Sequence, residues 1–90
     1  MPHVNIRISG MVQGVFFRSS AKYKADALDI KGFARNEPDG TVYIEAESPV
    51  QAVLDDFIAW CKIGPPSSDV DDVSVSTADP VNFTRFSIVH

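Results

Sequence analysis

The segment SGMVQGVFFRSS, residues 9–20, sets Gly10, Gly14 and Arg18 where an alternating apolar stretch gives way to a helical pattern. It contains no acid, histidine or cysteine, so proton transfer and thiol chemistry are not what these residues offer. They offer anion capture. A turn leading into a helix presents N–H groups that find no partner inside the helix, and the helix dipole adds partial positive charge at the same place. Gly10 and Gly14 open backbone conformations closed to other residues and let the main chain approach a ligand. A cation at Arg18 opposes the dipole at a cost of about 0.3–1 kcal/mol unless an anion lies between them, and a phosphate there would form a two-pronged charged pair with the guanidinium. The other reading of Arg18 is an exposed side chain leaning into solvent. The loop is not a nucleotide-binding P-loop, because Val15 follows its second glycine where that motif requires Lys and Ser or Thr, and it lacks a Gly-x-Gly-x-x-Gly fingerprint.

The elements around the loop follow from periodicity. Val4, Ile6 and Ile8 alternate with Asn5, Arg7 and Ser9, which predicts a strand with one buried face ending at Gly10. Ala21, Ala25 and Leu28 recur at helical spacing, predicting a helix over Ser19 to Lys31 with Gly32 as its stop. KGFARN reads as a second strand, and EPDG as a type I turn with Pro38 second and Gly40 fourth, leading into a third strand, TVYIEAES. A second helix is expected with Ser48 as N-cap, Pro49 at its first position and Gln51 completing a capping box. Its buried stripe is Val53, Leu54, Phe57 and Cys61, and Gly64-Pro65-Pro66 stops it. Val73 and Val75 mark a fourth strand, Phe86 and Ile88 a last one. This order predicts an α+β protein of the ferredoxin-like βαββαβ plan, a mostly antiparallel sheet with two helices on one face.

Ninety residues suffice for one core and one domain, residues 1–90. The formal net charge of −4 gives no general attraction to nucleic acid or to an anionic membrane, so neither is expected as a partner, and any phosphate must be held by local geometry. No secretory signal or apolar run of membrane-spanning length is present, so a cytoplasmic location and a monomer are the default expectations. Cys61 is the one cysteine and reads as a core residue. His3 and His90 lie at the termini and form no metal cluster with it, and Asp26, Asp29, Asp55 and Asp56 read as solvated helix faces. A right-handed crossover through the first helix makes strands one and two parallel, with their C-terminal ends at one sheet edge. Asn36, closing strand two, can then face the glycine loop and offer its amide to a water or a phosphate oxygen. Alternatively it only starts the turn at Pro38-Asp39-Gly40.

The stretch GMVQGVFFR resembles the signature loop of the acylphosphatases, Gly-x-Val-Gln-Gly-Val-x-Phe-Arg, and KGFARNEPDGTV resembles their second motif, an asparagine ahead of an Asp-Gly turn. The second helix, the Gly-Pro-Pro break and the closing Phe-x-Ile follow in the family's order, so the resemblance covers nearly the whole chain. It implies hydrolysis of a carboxyl-phosphate bond in a small acyl phosphate to a carboxylate and inorganic phosphate. By this resemblance the amides of Met11, Val12, Gln13, Gly14, Val15 and Phe16 and the guanidinium of Arg18 bind the phosphoryl group, and Asn36 orients the attacking water. Gln13 is assigned to holding the loop's shape. No cofactor or metal is implied: a carboxylate leaves without protonation, so positioning and charge stabilisation suffice. Met11 stands where relatives often carry a basic residue, and Glu37 puts a negative charge next to Asn36, where turning inward would repel substrate. An RNA-binding module of the same βαββαβ plan fits poorly, since Arg35 and Pro38 stand where stacking aromatics would be needed. The alternative kept is a regulatory module that binds phosphate and turns nothing over.

Overall fold

The computed structural model describes the whole chain, Met1–His90. Strand β1 (His3–Met11) buries Val4, Ile6 and Ile8 on one face and exposes Arg7, as the alternation requires, and runs one residue past Gly10. Strand β3 (Val42–Glu47) buries Val42, Ile44 and Ala46 on that same side and pairs antiparallel with β1, Ile6 opposite Ile44. Strand β2 (Lys31–Asn36) pairs antiparallel with the other edge of β3, so β1 and β2 run parallel with β3 between them. Ile8 and Asn36 both stand opposite Val42, which puts the ends of β1 and β2 at one edge of the sheet. Strand β4 (Asp69–Thr77) lies outside β1, and β5 (Phe86–Val89) lies parallel to β2 on the far edge, giving the order β4-β1-β3-β2-β5. The fold is the expected ferredoxin-like βαββαβ with an added terminal strand.

Both helices lie on the apolar face of the sheet. Helix α1 (Phe17–Ala27) contributes Phe17, Ala21 and Ala25, one residue per turn, and helix α2 (Gln51–Cys61) contributes Leu54, Phe57 and Cys61. These join the inward residues of β1, β2, β3 and β5 in one cluster of 16 buried hydrophobic residues. Trp60 stacks near Phe57 and tilts against Phe17, with ring centroids 6.1 and 5.4 Å apart, so α2 fixes the rotation of the first turn of α1.

Both helices depart from the expected boundaries. α1 begins two residues before Ser19 and stops at Ala27, well short of Lys31. Its stop is Asp29, at φ 56, with Asp29 N–H donating to Asp26 O and Ile30 N–H to Ala25 O, the paired bonds of a Schellman motif. Ile30 then drops into the core, and Gly32 lies inside β2. The expectation had placed the stop at the nearest glycine, whereas an aspartate takes the left-handed position.

In α2, Val50 is extended at φ −116, and the helix starts at Gln51 with no side-chain cap. Ser48 is buried and its Oγ accepts from Val50 N–H, while Gln51 donates to Asp55 Oδ1 one turn on, so no capping box forms. β4 is longer than expected and mostly exposed, because it is a sheet edge. Val73 is half-buried, and Val75 is exposed.

Candidate active site

The loop between β1 and α1 is shaped from both ends. At its start, Gly10 has φ 123 beside a register shift in which Asp71 of β4 has no partner on β1. A Cβ on Gly10 would strike Asp69 O and the nitrogen of Asp71. The close approach that Gly10 permits is therefore to the neighbouring strand, whereas the sequence reading had given it a ligand. Gly14, at φ 73, has nothing within 4 Å of where a Cβ would stand, so its glycine is required by conformation. At the loop's end Phe16 also takes the left-handed region, φ 64, and α1 starts with no side-chain cap and no acid in its first turn. No N–H of residues 12–16 donates to a carbonyl or side chain of the protein.

Gln13 spans the gap to the β2–β3 turn: its Nε2 donates to Glu37 O at 2.8 Å and to Thr41 O at 2.9 Å. On the other side Ser67 Oγ donates to Val15 O at 2.7 Å. Val12 is buried in the core. The loop is thus held by its side chains and carbonyls, and its N–H groups are left over.

A pocket of about 280 Å³ opens at this place, lined by Gly14, Phe16, Phe17, Arg18, Ser19, Asn36, Ile88 and His90. Arg18 and Asn36 come together here, as expected from the parallel ends of β1 and β2. Arg18 donates from Nη1 to Val89 O at 3.0 Å, which fixes one branch of the guanidinium and leaves the rest free. Asn36 shares the inward parity of Ala34, which carries its amide to the helix side of the sheet beside α1.

Of the six loop residues named from the sequence, Gly14 and Phe16 reach the pocket and four do not. Met11 is the last residue of β1, paired with Asp69, with its side chain 69% exposed and outside the pocket lining. Glu37 also lies outside the pocket, and its carboxylate pairs with Arg35 at 2.9 Å. Phe17, Ser19, Ile88 and His90 were missed. The alternation of Phe86, Ile88 and His90 puts the latter two on one face, but the strand beside which β5 lies could not be read from it.

No three His, Cys, Asp or Glu side chains cluster in a way that could hold a metal ion. Cys61 is buried, and desolvation raises its thiol pKa far above the ordinary value, which leaves it inert.

The geometry is that of an α+β protein of ferredoxin-like fold in which a loop of free amides, an arginine and an asparagine share one pocket. The family model described as acylphosphatase matches residues 4–88, and the chain belongs to the acylphosphatase family, whose members are hydrolases. It is 40% identical over 90 residues to an acylphosphatase of Methylococcus capsulatus, covering 99% of this chain and 97% of that one. With an acylphosphatase of Alkalilimnicola ehrlichii the identity is 51% over 69 residues, 77% of this chain and 76% of the other. The crystal structure of acylphosphatase from Bacillus subtilis matches over 100% of both chains with a TM-score of 0.96 at 38% identity. No helix of the chain is long and apolar enough to cross a membrane.

Proposed function

We propose that this chain hydrolyses small acyl phosphates, with the amides of the Met11 to Phe16 loop and the guanidinium of Arg18 holding the phosphoryl group and Asn36 orienting the attacking water. The observation that carries this reading is the convergence of Arg18 and Asn36 on one pocket beside amides that have no partner in the protein. In the reaction the water oxygen forms a bond to phosphorus as the bond from phosphorus to the acyl oxygen breaks. The electron pair leaves on the carboxylate, and the water's proton passes to a phosphate oxygen or to solvent. Charge builds on the transferring phosphoryl oxygens, where preformed amide donors and a planar cation are worth most. The leaving carboxylate needs no acid. Arg18 enters pre-positioned, because its bond to Val89 O already orders the side chain.

The reading takes residues 1–90 as one domain acting as a monomer in the cytoplasm, without a metal. It is tested by hydrolysis of benzoyl phosphate by wild type, Arg18→Ala and Asn36→Ala, each with and without a chelator, alongside competitive inhibition or calorimetric binding of inorganic phosphate. The expected result is turnover indifferent to chelator, with loss of phosphate affinity and rate in Arg18→Ala. In Asn36→Ala the rate should fall by about 10²-fold or more while phosphate affinity is nearly kept. Folded wild type that binds phosphate and turns nothing over would replace the enzyme by a binding module.

A further inference from the structure

The pocket has more room than a phosphoryl group fills, and besides Ser19 and His90 its remaining walls are the apolar Phe16, Phe17 and Ile88. On β5, Phe86 is buried toward the helices, so Ile88, two residues on, stands on the same face. The parallel register sets Ile88 opposite Ala34 and Val89 opposite Arg35, which brings Ile88 to the pocket one step before Asn36. Phe16 lines the same pocket from the loop. Its side chain is 78% exposed although the residue takes φ 64, a conformation that costs a bulky side chain more than a glycine or asparagine. Neither folding nor helix capping accounts for a large apolar side chain there, since Phe16 buries little and caps nothing. Both polar partners for the phosphoryl group lie in the same pocket as Phe16 and Ile88, so a phosphoryl group held there has these two side chains within the same cavity as its acyl portion.

We propose that Phe16 and Ile88 form an apolar platform for the acyl portion, so that the enzyme selects acyl phosphates with a flat or extended apolar acyl group over acetyl phosphate. This rests on the loop and Arg18 holding the phosphoryl group. Contact with a ring buries more apolar area against these side chains than contact with a methyl group does.

The test compares kcat/KM for benzoyl phosphate and acetyl phosphate in wild type, Phe16→Asn and Ile88→Ser, with thermal melting to check folding. Asparagine suits the left-handed conformation at position 16, and comparing the substrate ratio of each variant with that of wild type cancels the difference in leaving-group chemistry. The ratio is expected to fall about tenfold in each variant, mainly through KM for benzoyl phosphate. In wild type, benzylphosphonate should inhibit about tenfold more tightly than methylphosphonate, a measurement that needs no variant. An unchanged ratio in both variants, equal losses on both substrates, or equal inhibition by the two phosphonates overturns the platform while leaving phosphoryl transfer intact. Wild type that hydrolyses neither substrate overturns the underlying reading and the platform with it.

Discussion

His3 Nδ1 lies 2.8 Å from Glu47 Oε2 with both side chains buried, joining the first residue of β1 to the last of β3 beneath the segment that leads into β5. The same carboxylate accepts from the N–H groups of Val81, Asn82 and Phe83. On the far side of the ring, Nε2 is 2.7 Å from Asn5 Oδ1 and 3.1 Å from Glu45 Oε1. Both ring nitrogens face oxygens, an arrangement that favours the doubly protonated, charged imidazole. Glu47 thereby anchors the segment that delivers β5, which supplies Ile88 and the carbonyl of Val89 to the site.

Stability should therefore peak in the window where both partners are charged. Burial disfavours the His3 imidazolium, but hydrogen bonds to Glu47 and Asn5 and the nearby carboxylates outweigh it, and its pKa is raised above the ordinary 6.5. Burial likewise disfavours the Glu47 carboxylate, yet the bonds from His3, Val81, Phe83 and Asn82 win, and its pKa falls below the ordinary 4.5. The stability from Glu47 is present above pH 4.5 and lost as pH falls through its lowered pKa. That from His3 is present below pH 6.5 and lost as pH rises through its raised pKa. Denaturant melts across pH should show both flanks. Glu47→Gln should cost about 3 kcal/mol and flatten them, and unchanged flanks in that variant would contradict the pairing.

The left-handed Asp29 gives a stabilising substitution. Its side chain pairs with Lys31 at 2.7 Å, but it is 88% exposed, so the pair contributes little. Asp29→Gly removes the cost of placing a Cβ at φ 56 and should raise stability by about 0.5–1 kcal/mol, read as a higher melting temperature. A lower one would mean that the exposed ion pair matters more than the backbone.

Gln13 should act on binding through the loop it holds. Gln13→Ala frees the loop from Glu37 O and Thr41 O. Two hydrogen bonds are lost, and the loop must be ordered by substrate instead. We expect KM for benzoyl phosphate and the phosphate inhibition constant to rise together by about tenfold, with a smaller change in kcat. A fall in kcat alone would place Gln13 at the reacting atoms.

The two loop glycines should fail differently. Gly10→Ala drives a methyl group into the backbone of β4 and should cost about 3 kcal/mol of stability. Gly14→Ala meets no atom, and only the φ of 73 is penalised, by about 1–2 kcal/mol, with a tilt of the neighbouring loop amides. Its expected signature is a roughly tenfold loss of kcat/KM with a smaller shift in melting than Gly10→Ala. Equal melting shifts for both would contradict the assignment of Gly10 to strand packing.

Periodicity carried most of the architecture, because one-sided burial leaves its mark on every second strand residue and every third or fourth helical one. Val4-Ile6-Ile8, Val42-Ile44-Ala46 and Leu54-Phe57-Cys61 are all buried where the pattern places them. Boundaries were less legible. The end of α1 depends on a left-handed aspartate that no pattern distinguishes from a surface one, and the start of α2 on the extended Val50.

By itself the sequence determined the strand and helix order, the glycine loop ahead of a helix with Arg18 near its start, and the family through two motifs. These are local matters: a side chain's periodicity, a residue's backbone freedom and a motif's spacing are all present along the chain. Only the tertiary structure decided that β5 lies parallel to β2, bringing Ile88 and His90 to Asn36, that Gly10 serves β4, and that Glu47 is buried under residues 81–83. Each of these depends on which distant backbone comes alongside, and strand pairing is made by hydrogen bonds between main chains that look alike at every residue.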